Sequence, residues 1–241
     1  MVSLLPAALL GFVVGLRHAT EADHVAAVSA IVARERTLRG AALIGAAWGL
    51  GHTITLLLLG GAIVAFGLSV PRSLALALEL LVGAMLIGLG LWNFLVRKRP
   101  SHTHALPPSI APAPPPSRTS PRAASGLRPP AAAARTVLRR TMRPLVVGSM
   151  HGLAGSTAAA LLVAAASRTV SQGLAYLLVL GLGTMLGMTA ITAALALPLG
   201  RALRRFDRAE AWLRVGSGAV SCAIGALVVY QIGFQDGLFL R

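Results

Sequence analysis

The stretch from Arg17 to His24 reads Arg-His-Ala-Thr-Glu-Ala-Asp-His, so five of its eight side chains are ionisable. Apolar sequence encloses it, Leu4 to Leu16 before and Val25 to Ala33 after. A charged side chain deep in hydrocarbon costs at least roughly 2.5–3.5 kcal/mol, so such groups are rare and usually functional. Imidazole and carboxylate together offer nitrogen and oxygen donors for a divalent first-row metal. The candidate ligands in this stretch are His18, Asp23 and His24. Two further histidines lie inside apolar runs: His52 in Leu50-Gly51-His52-Thr53, and His151 in His151-Gly152-Leu153-Ala154-Gly155-Ser156. Each is a candidate ligand, with a hydrogen-bonded packing residue as the alternative. Arg17 and Glu21 are supporting residues. The charge of Arg17 repels a metal ion, so its expected partner is Glu21 or Asp23. A structural ion-pair network is the competing reading of the whole cluster, but it is costly to keep buried without a function. The chemistry indicated is a metal-ion pathway.

On a regular helix with His18 at 0°, Asp23 falls near 140° and His24 near 240°, at about 100° per residue. No unbroken helix aims all three at one ion. Two arrangements remain open. The helix unwinds around Ala19 to Ala22 so that the ligands converge, as in discontinuous transporter helices. Otherwise it stays regular, Arg17 pairs with Glu21, and other segments complete a site around His18 or His24.

The elements that must position these residues are membrane helices. Of 241 residues 56% are hydrophobic and 12% charged, with several apolar runs longer than a bilayer needs. Six spans are expected, at about 4–33, 40–69, 73–96, 144–167, 171–199 and 211–235, on the roughly 20-residue crossing length. Between the third and fourth, residues 99–140 are dominated by proline, alanine, serine and arginine and cannot bury a core. His102 and His104 at its start are read as loop histidines. Glu79 in the third span is read as an interhelical hydrogen-bond partner, with an access-side carboxylate as the alternative. Cys222 and Met85, Met185 and Met188 are read as packing residues. One cysteine excludes an intramolecular disulfide and the paired thiols of an electron carrier. No basic residue precedes the first apolar run, so no removable signal peptide is expected.

The net charge of +15 would suggest nucleic acid if it formed a folded surface. Instead the basic residues fall between apolar runs, after the first, third and fifth spans, where they orient the chain. Nucleic-acid binding is therefore not expected. The expectation is a multi-pass protein of the cell inner (plasma) membrane, with both termini outside and linker 99–140 cytoplasmic.

The halves echo each other. Gly15-x-x-His18 recurs as Gly148-x-x-His151, Gly49-Leu50-Gly51 as Gly181-Leu182-Gly183, and Val82-Gly83 as Val215-Gly216, at offsets of 133, 132 and 133. Three spans per half is an odd number, so the second half enters the membrane from the opposite side. The expected fold is an all-α polytopic membrane protein of six transmembrane helices forming two inverted three-helix repeats, 1–98 and 141–241. His18 and His151 then occupy equivalent positions and can face one another. Thr184 stands where the first half has His52, so that half supplies most of any site.

The motifs carry a resemblance. The arrangement His18, Asp23, His24 resembles the signature His-x4-Asp-His of the nickel/cobalt transporter family, and Leu50-Gly51-His52-Thr53 is similar to its second motif, Leu-Gly-His-Ser/Thr. The resemblance covers the first two spans and implies a role in recognising Ni²⁺ or Co²⁺ for His18, Asp23, His24 and His52. Glu21 stands where that family usually has aspartate, and Thr20 where a larger apolar residue is common. The Gly-Phe-Asp-Thr-Ala-Thr-Glu motif of the longer eight-helix members is absent. His151 to Ser156 instead resembles the shorter six-span branch associated with urease maturation.

These readings combine into one expectation: a transporter of Ni²⁺ and/or Co²⁺, not an enzyme, without a resident cofactor. Its partners are the lipid bilayer and urease or hydrogenase maturation proteins. Imidazoles bind metal only when unprotonated, so binding should weaken as pH falls through about 6.5. The alternatives are an exporter of an amino acid or organic anion with Arg17 as the anion contact, a non-transporting partner in metalloenzyme maturation, and an intramembrane hydrolase using Ser156.

Overall fold

The computed structural model describes residues 4–32, 35, 37–95, 137, 138, 140–154, 163, 167, 169–205 and 209–239. The first apolar run does not make one continuous helix. It forms α1 (Leu4–His18) and α2 (Ala22–Val32), of 15 and 11 residues, joined by a turn over 19–21 inside the ionic motif. Then follow α3 (Leu38–Phe66), α4 (Arg72–Leu95), α5 (140–154), α6 (Val170–Arg205) and α7 (Ala209–Tyr230). Among the described residues four segments are long and apolar enough to cross a membrane: Leu38–Phe66, Arg72–Leu95, Val170–Arg201 and Ala211–Gln235. They coincide with the second, third, fifth and sixth expected spans. The first falls short of that length because polar residues interrupt it. Only part of the fourth, 144–167, belongs to the described residues, and Ser156, His102 and His104 lie outside them. Within 99–140 just 137, 138 and 140 are described.

Local chemistry sets the helix ends. Thr37 caps α3 by accepting a 3.1 Å hydrogen bond from the Gly40 N–H. The helix widens into a π-helical turn at Leu56–Gly60, one turn past His52, and stops at Gly67, whose φ of 62° suits glycine. A second π-helical turn, Gln231–Gln235, ends α7. Such turns shift the side chains that follow them and often mark functional sites. Here Leu56, Gln231 and Ile232 all line the main cavity.

Large apolar side chains point outward, among them Leu58, Phe66 and Leu95, and close helix contact relies on small residues, as expected in lipid. The helix α4 runs along α7, and α6 along both α1 and α3. A Cβ at Gly225 would lie 2.7 Å from the Gly83 carbonyl, and one at Gly218 3.0 Å from the Gly90 carbonyl. Ser221 donates to the Leu86 carbonyl at 2.7 Å, and Asn93 to the Ala30 carbonyl at 2.9 Å.

The close approaches come in reciprocal pairs. Gly15 stands against the Leu180 carbonyl as Gly148 stands against the Trp48 carbonyl. Gly51 stands against the Leu145 carbonyl as Gly183 stands against that of Phe12. Moving either contact by 132 or 133 residues, with the halves exchanged, gives the other. Between α4 and α7 the matching shift is 135, which carries Gly83 to Gly218 and Gly90 to Gly225. The sequence register of 133 paired Gly83 with Gly216, which has no neighbour within 4 Å of a Cβ.

Candidate metal centre

The turn between α1 and α2 is what brings the motif together. Thr20 N–H and Glu21 N–H donate to the carbonyls of Arg17 and His18 at 2.8 and 3.1 Å, tightening the last turn of α1. The Thr20 hydroxyl donates to the same Arg17 carbonyl at 2.6 Å, consuming an acceptor that a continuing helix would use. The axis restarts at Ala22. Of the two arrangements open from sequence, the chain adopts the interrupted one.

The break gathers four imidazoles. Ring centroids lie 4.6 Å apart for His18 and His24, 5.2 Å for His18 and His52, 5.5 Å for His24 and His52, and 4.0 Å for His24 and His151. His18 and His151 do not face each other directly; both rest on His24. His24, His52 and His151 are buried and His18 is half-buried. The α3 helix brings His52 in, and the neighbouring Thr53 hydroxyl donates to the Gly181 carbonyl at 2.9 Å, fixing α3 against α6 at that level.

Two carboxylates orient the rings. An ionised carboxylate only accepts, so its histidine neighbours must donate. Asp23 Oδ1 accepts from Nδ1 of His24 at 3.0 Å, and Oδ2 from Nε2 of His151 at 2.9 Å. Glu21 Oε2 holds Nδ1 of His18 at 3.1 Å. The expected pairing of Arg17 with Glu21 or Asp23 does not occur. The turn swings both acids toward imidazoles and leaves Arg17 exposed at the cavity wall.

These bonds fix tautomers and leave Nε2 of His24 and Nδ1 of His151 as lone-pair acceptors without partners. Both ring nitrogens of His52 lack a partner as well. Two donor sets have ligand atoms within 4.8 Å of one another: His18, His24 and His52, and Asp23, His24 and His151. First-row metal–nitrogen bonds of about 2.0–2.1 Å need closer donors than that limit, so the rings would have to draw inward to share one ion. All five candidate ligands therefore meet in one place. Thr184, which the sequence register pairs with His52, is fully buried and donates to the Leu180 carbonyl of its own helix at 3.0 Å.

Trp48 was not singled out from sequence. Its ring lies nearly parallel to His24, at 5° and 6.2 Å, and 6.0 Å from His151. Its position one turn before His52 on α3 was the available signal. The four rings help line a cavity of about 600 Å³.

Comparison with known proteins agrees with the helical membrane architecture. The family model described as cytochrome C biogenesis protein transmembrane region matches residues 24–227, well over half of the chain. The chain is 33% identical over 239 residues to a protein of Bacillus sp. (strain TB-90) named urease accessory protein UreH, covering 99% of this chain and 96% of the relative. No solved structure matches. The single cysteine, Cys222, rests near the Ile87 carbonyl at 3.6 Å and has no second thiol in the chain with which to form a disulfide. The chain thus belongs to the membrane-protein family of the cytochrome c biogenesis transmembrane region, with a full-length relative in a urease accessory protein.

Proposed function

We propose that this protein moves divalent transition-metal cations, Ni²⁺ and/or Co²⁺, through the membrane at the imidazole cluster. The observation that carries this is His52: each ring nitrogen lacks a partner although the residue is 1% exposed, and the unpartnered Nε2 of His24 lies in the same cavity. Buried polar atoms without partners are costly, and a ligand that takes their lone pairs removes the cost. His18, His24 and His52 are the ion's ligands, with His151 beside them. Asp23 and Glu21 hold the imidazoles in the binding tautomer, as carboxylates behind metal-bound histidines do. An imidazole nitrogen set suits nickel and cobalt better than calcium or magnesium. Kinship with a urease accessory protein favours nickel, delivered toward urease or hydrogenase maturation proteins.

The reciprocal glycine contacts support two inverted repeats, 1–98 and 141–241, that join six membrane crossings around the site. On this reading the two repeats rock against each other to expose the cluster to either side. Basic residues after the first, third and fifth spans favour a cytoplasmic linker 99–140 and external termini, in the cell inner membrane.

The test combines binding and flux. Trp48 beside His24 is a built-in reporter, because paramagnetic Ni²⁺ at the cluster quenches its emission. Purified protein with Trp92→Phe and Trp212→Phe should show saturable quenching, and proteoliposomes should carry radioactive nickel. His18→Ala and His52→Ala should lower affinity at least a hundredfold and remove flux. Wild-type flux in both variants overturns the proposal. The accessory name of the relative favours one second reading, a membrane partner that binds nickel without moving it. Quenching with no flux would select it.

A further inference from the structure

The cavity extends well past the imidazoles, and its charge runs against that of the chain. The sequence holds seven acidic and 22 basic residues. Four of those seven acids, Glu21, Asp23, Glu79 and Asp236, line this one cavity, against a single arginine among the described residues, Arg17. Glu21 and Asp23 are already engaged in holding imidazoles. Glu79 and Asp236 have no such task. Glu79, on α4, makes no hydrogen bond or ion pair among the described residues, so the interhelical bond expected for it is absent. Asp236 follows the π-helical turn of α7, and among the described residues its carboxylate meets only Arg72, at 3.9 Å, with both side chains well exposed. The same cavity is lined by His24 and His52, which carry unpartnered ring nitrogens and are each 1% exposed.

Carboxylates lining a cleft with apolar walls focus the field and raise the local concentration and on-rate of cations, by 10- to 1,000-fold in favourable cases. The space also suits an ion that has not yet shed its water. Six waters at about 30 Å³ each, with the ion, occupy roughly 200 Å³, and the cavity offers about 600 Å³. We propose that Glu79 and Asp236 form a recruiting site for hydrated divalent cations at the rim of this cavity, from which the ion passes to the imidazoles. Arg72 is the competing cation at that rim: it occupies Asp236 until a divalent ion displaces it. This inference rests on the metal-transport reading and adds to it the face from which the ion is taken, the one that carries Arg72 and Asp236.

The test reads association and dissociation separately. Stopped-flow quenching of Trp48 by NiCl₂ is followed in the purified full chain bearing Trp92→Phe and Trp212→Phe. The Glu79→Gln/Asp236→Asn pair should slow association about tenfold at low ionic strength and flatten its salt dependence. Dissociation should stay within about twofold of the parent, because the imidazoles are untouched. Arg72→Gln is the discriminating variant and should speed association. Wild-type association in the double variant overturns the proposal, and so does slower association in Arg72→Gln, which marks Asp236 as a structural partner of Arg72. A failure confined to the rim variants leaves the imidazole site standing. Absence of any nickel quenching in the parent removes both the site and its rim.

Discussion

Asp23 holds two imidazoles at once, at 3.0 and 2.9 Å, and belongs to the second of the two donor sets, which shares His24 with the first. As an orienting group it leaves the ion to His18, His24 and His52; as a ligand it joins His24 and His151. The variant Asp23→Asn separates the two roles. An orienting carboxylate typically contributes 10- to 100-fold in metal affinity. Nickel affinity of Asp23→Asn measured by Trp48 quenching should therefore fall by about that factor, with saturable binding retained, whereas loss as complete as in His18→Ala would make Asp23 a direct ligand. The same residue shows the limit of motif reading. His18, Asp23 and His24 are visible in sequence as one group, but which of them touches the ion depends on hydrogen bonds to His151, 128 positions away. Trp48 and Asp236 were passed over because an indole in an apolar helix and an acid near the end of another look ordinary until the first proves to stack on His24 and the second to line the cavity that His24 lines.

Among the elements, the interruption between α1 and α2 and the close approach of α3 to α5 do most to assemble the cluster. A side chain at Gly51 would run into the Leu145 carbonyl and lie 3.0 Å from Ser149 N, and Gly51 directly precedes His52. Gly51→Val should destabilise the fold by about 1–3 kcal/mol, the range for overpacked sites, and displace His52 from the other rings. A lowered thermal midpoint with loss of nickel-induced stabilisation is the expected result; an unchanged midpoint would mean that α3 and α5 stand further apart. Helix content and the four long apolar segments were legible from the apolar runs along the sequence. The break at 19–21 was one of two arrangements that helical angles allowed, and the Thr20 hydroxyl on the Arg17 carbonyl favours the interrupted one. The π-helical turns had no sequence signal, because they depend on how neighbouring helices pack.

At the scale of the molecule, the proposal assigns a side to each end. With Cys222→Ser as background, a cysteine at Ser73 should react with a membrane-impermeant maleimide added to intact cells, and one at Arg143 should react only after the membrane is opened. The reverse pattern would invert the orientation and place the acidic rim in the cytoplasm. The glycine matches at 133 and 132 foreshadowed the reciprocal contacts of α1 with α6 and of α5 with α3. They missed the register of the third pair, where Gly83 answers to Gly218 at 135. Glycine is so frequent in this chain, at 26 residues, that a two-residue slip leaves an equally good match on paper.

Hydropathy, the placement of basic residues and the spacing of His18, Asp23 and His24 determined by themselves that this is a helical membrane protein with a polar centre, because burying ionisable groups among so many apolar ones is too expensive to be incidental. Only the tertiary structure decided that His151 belongs to that centre, that Glu21 serves His18 and not Arg17, and that Glu79 and Asp236 share a cavity with them. Those relations join residues from α1 to α7. Helix packing and the break after His18 set the distances between them, and neither leaves a periodic trace in the chain.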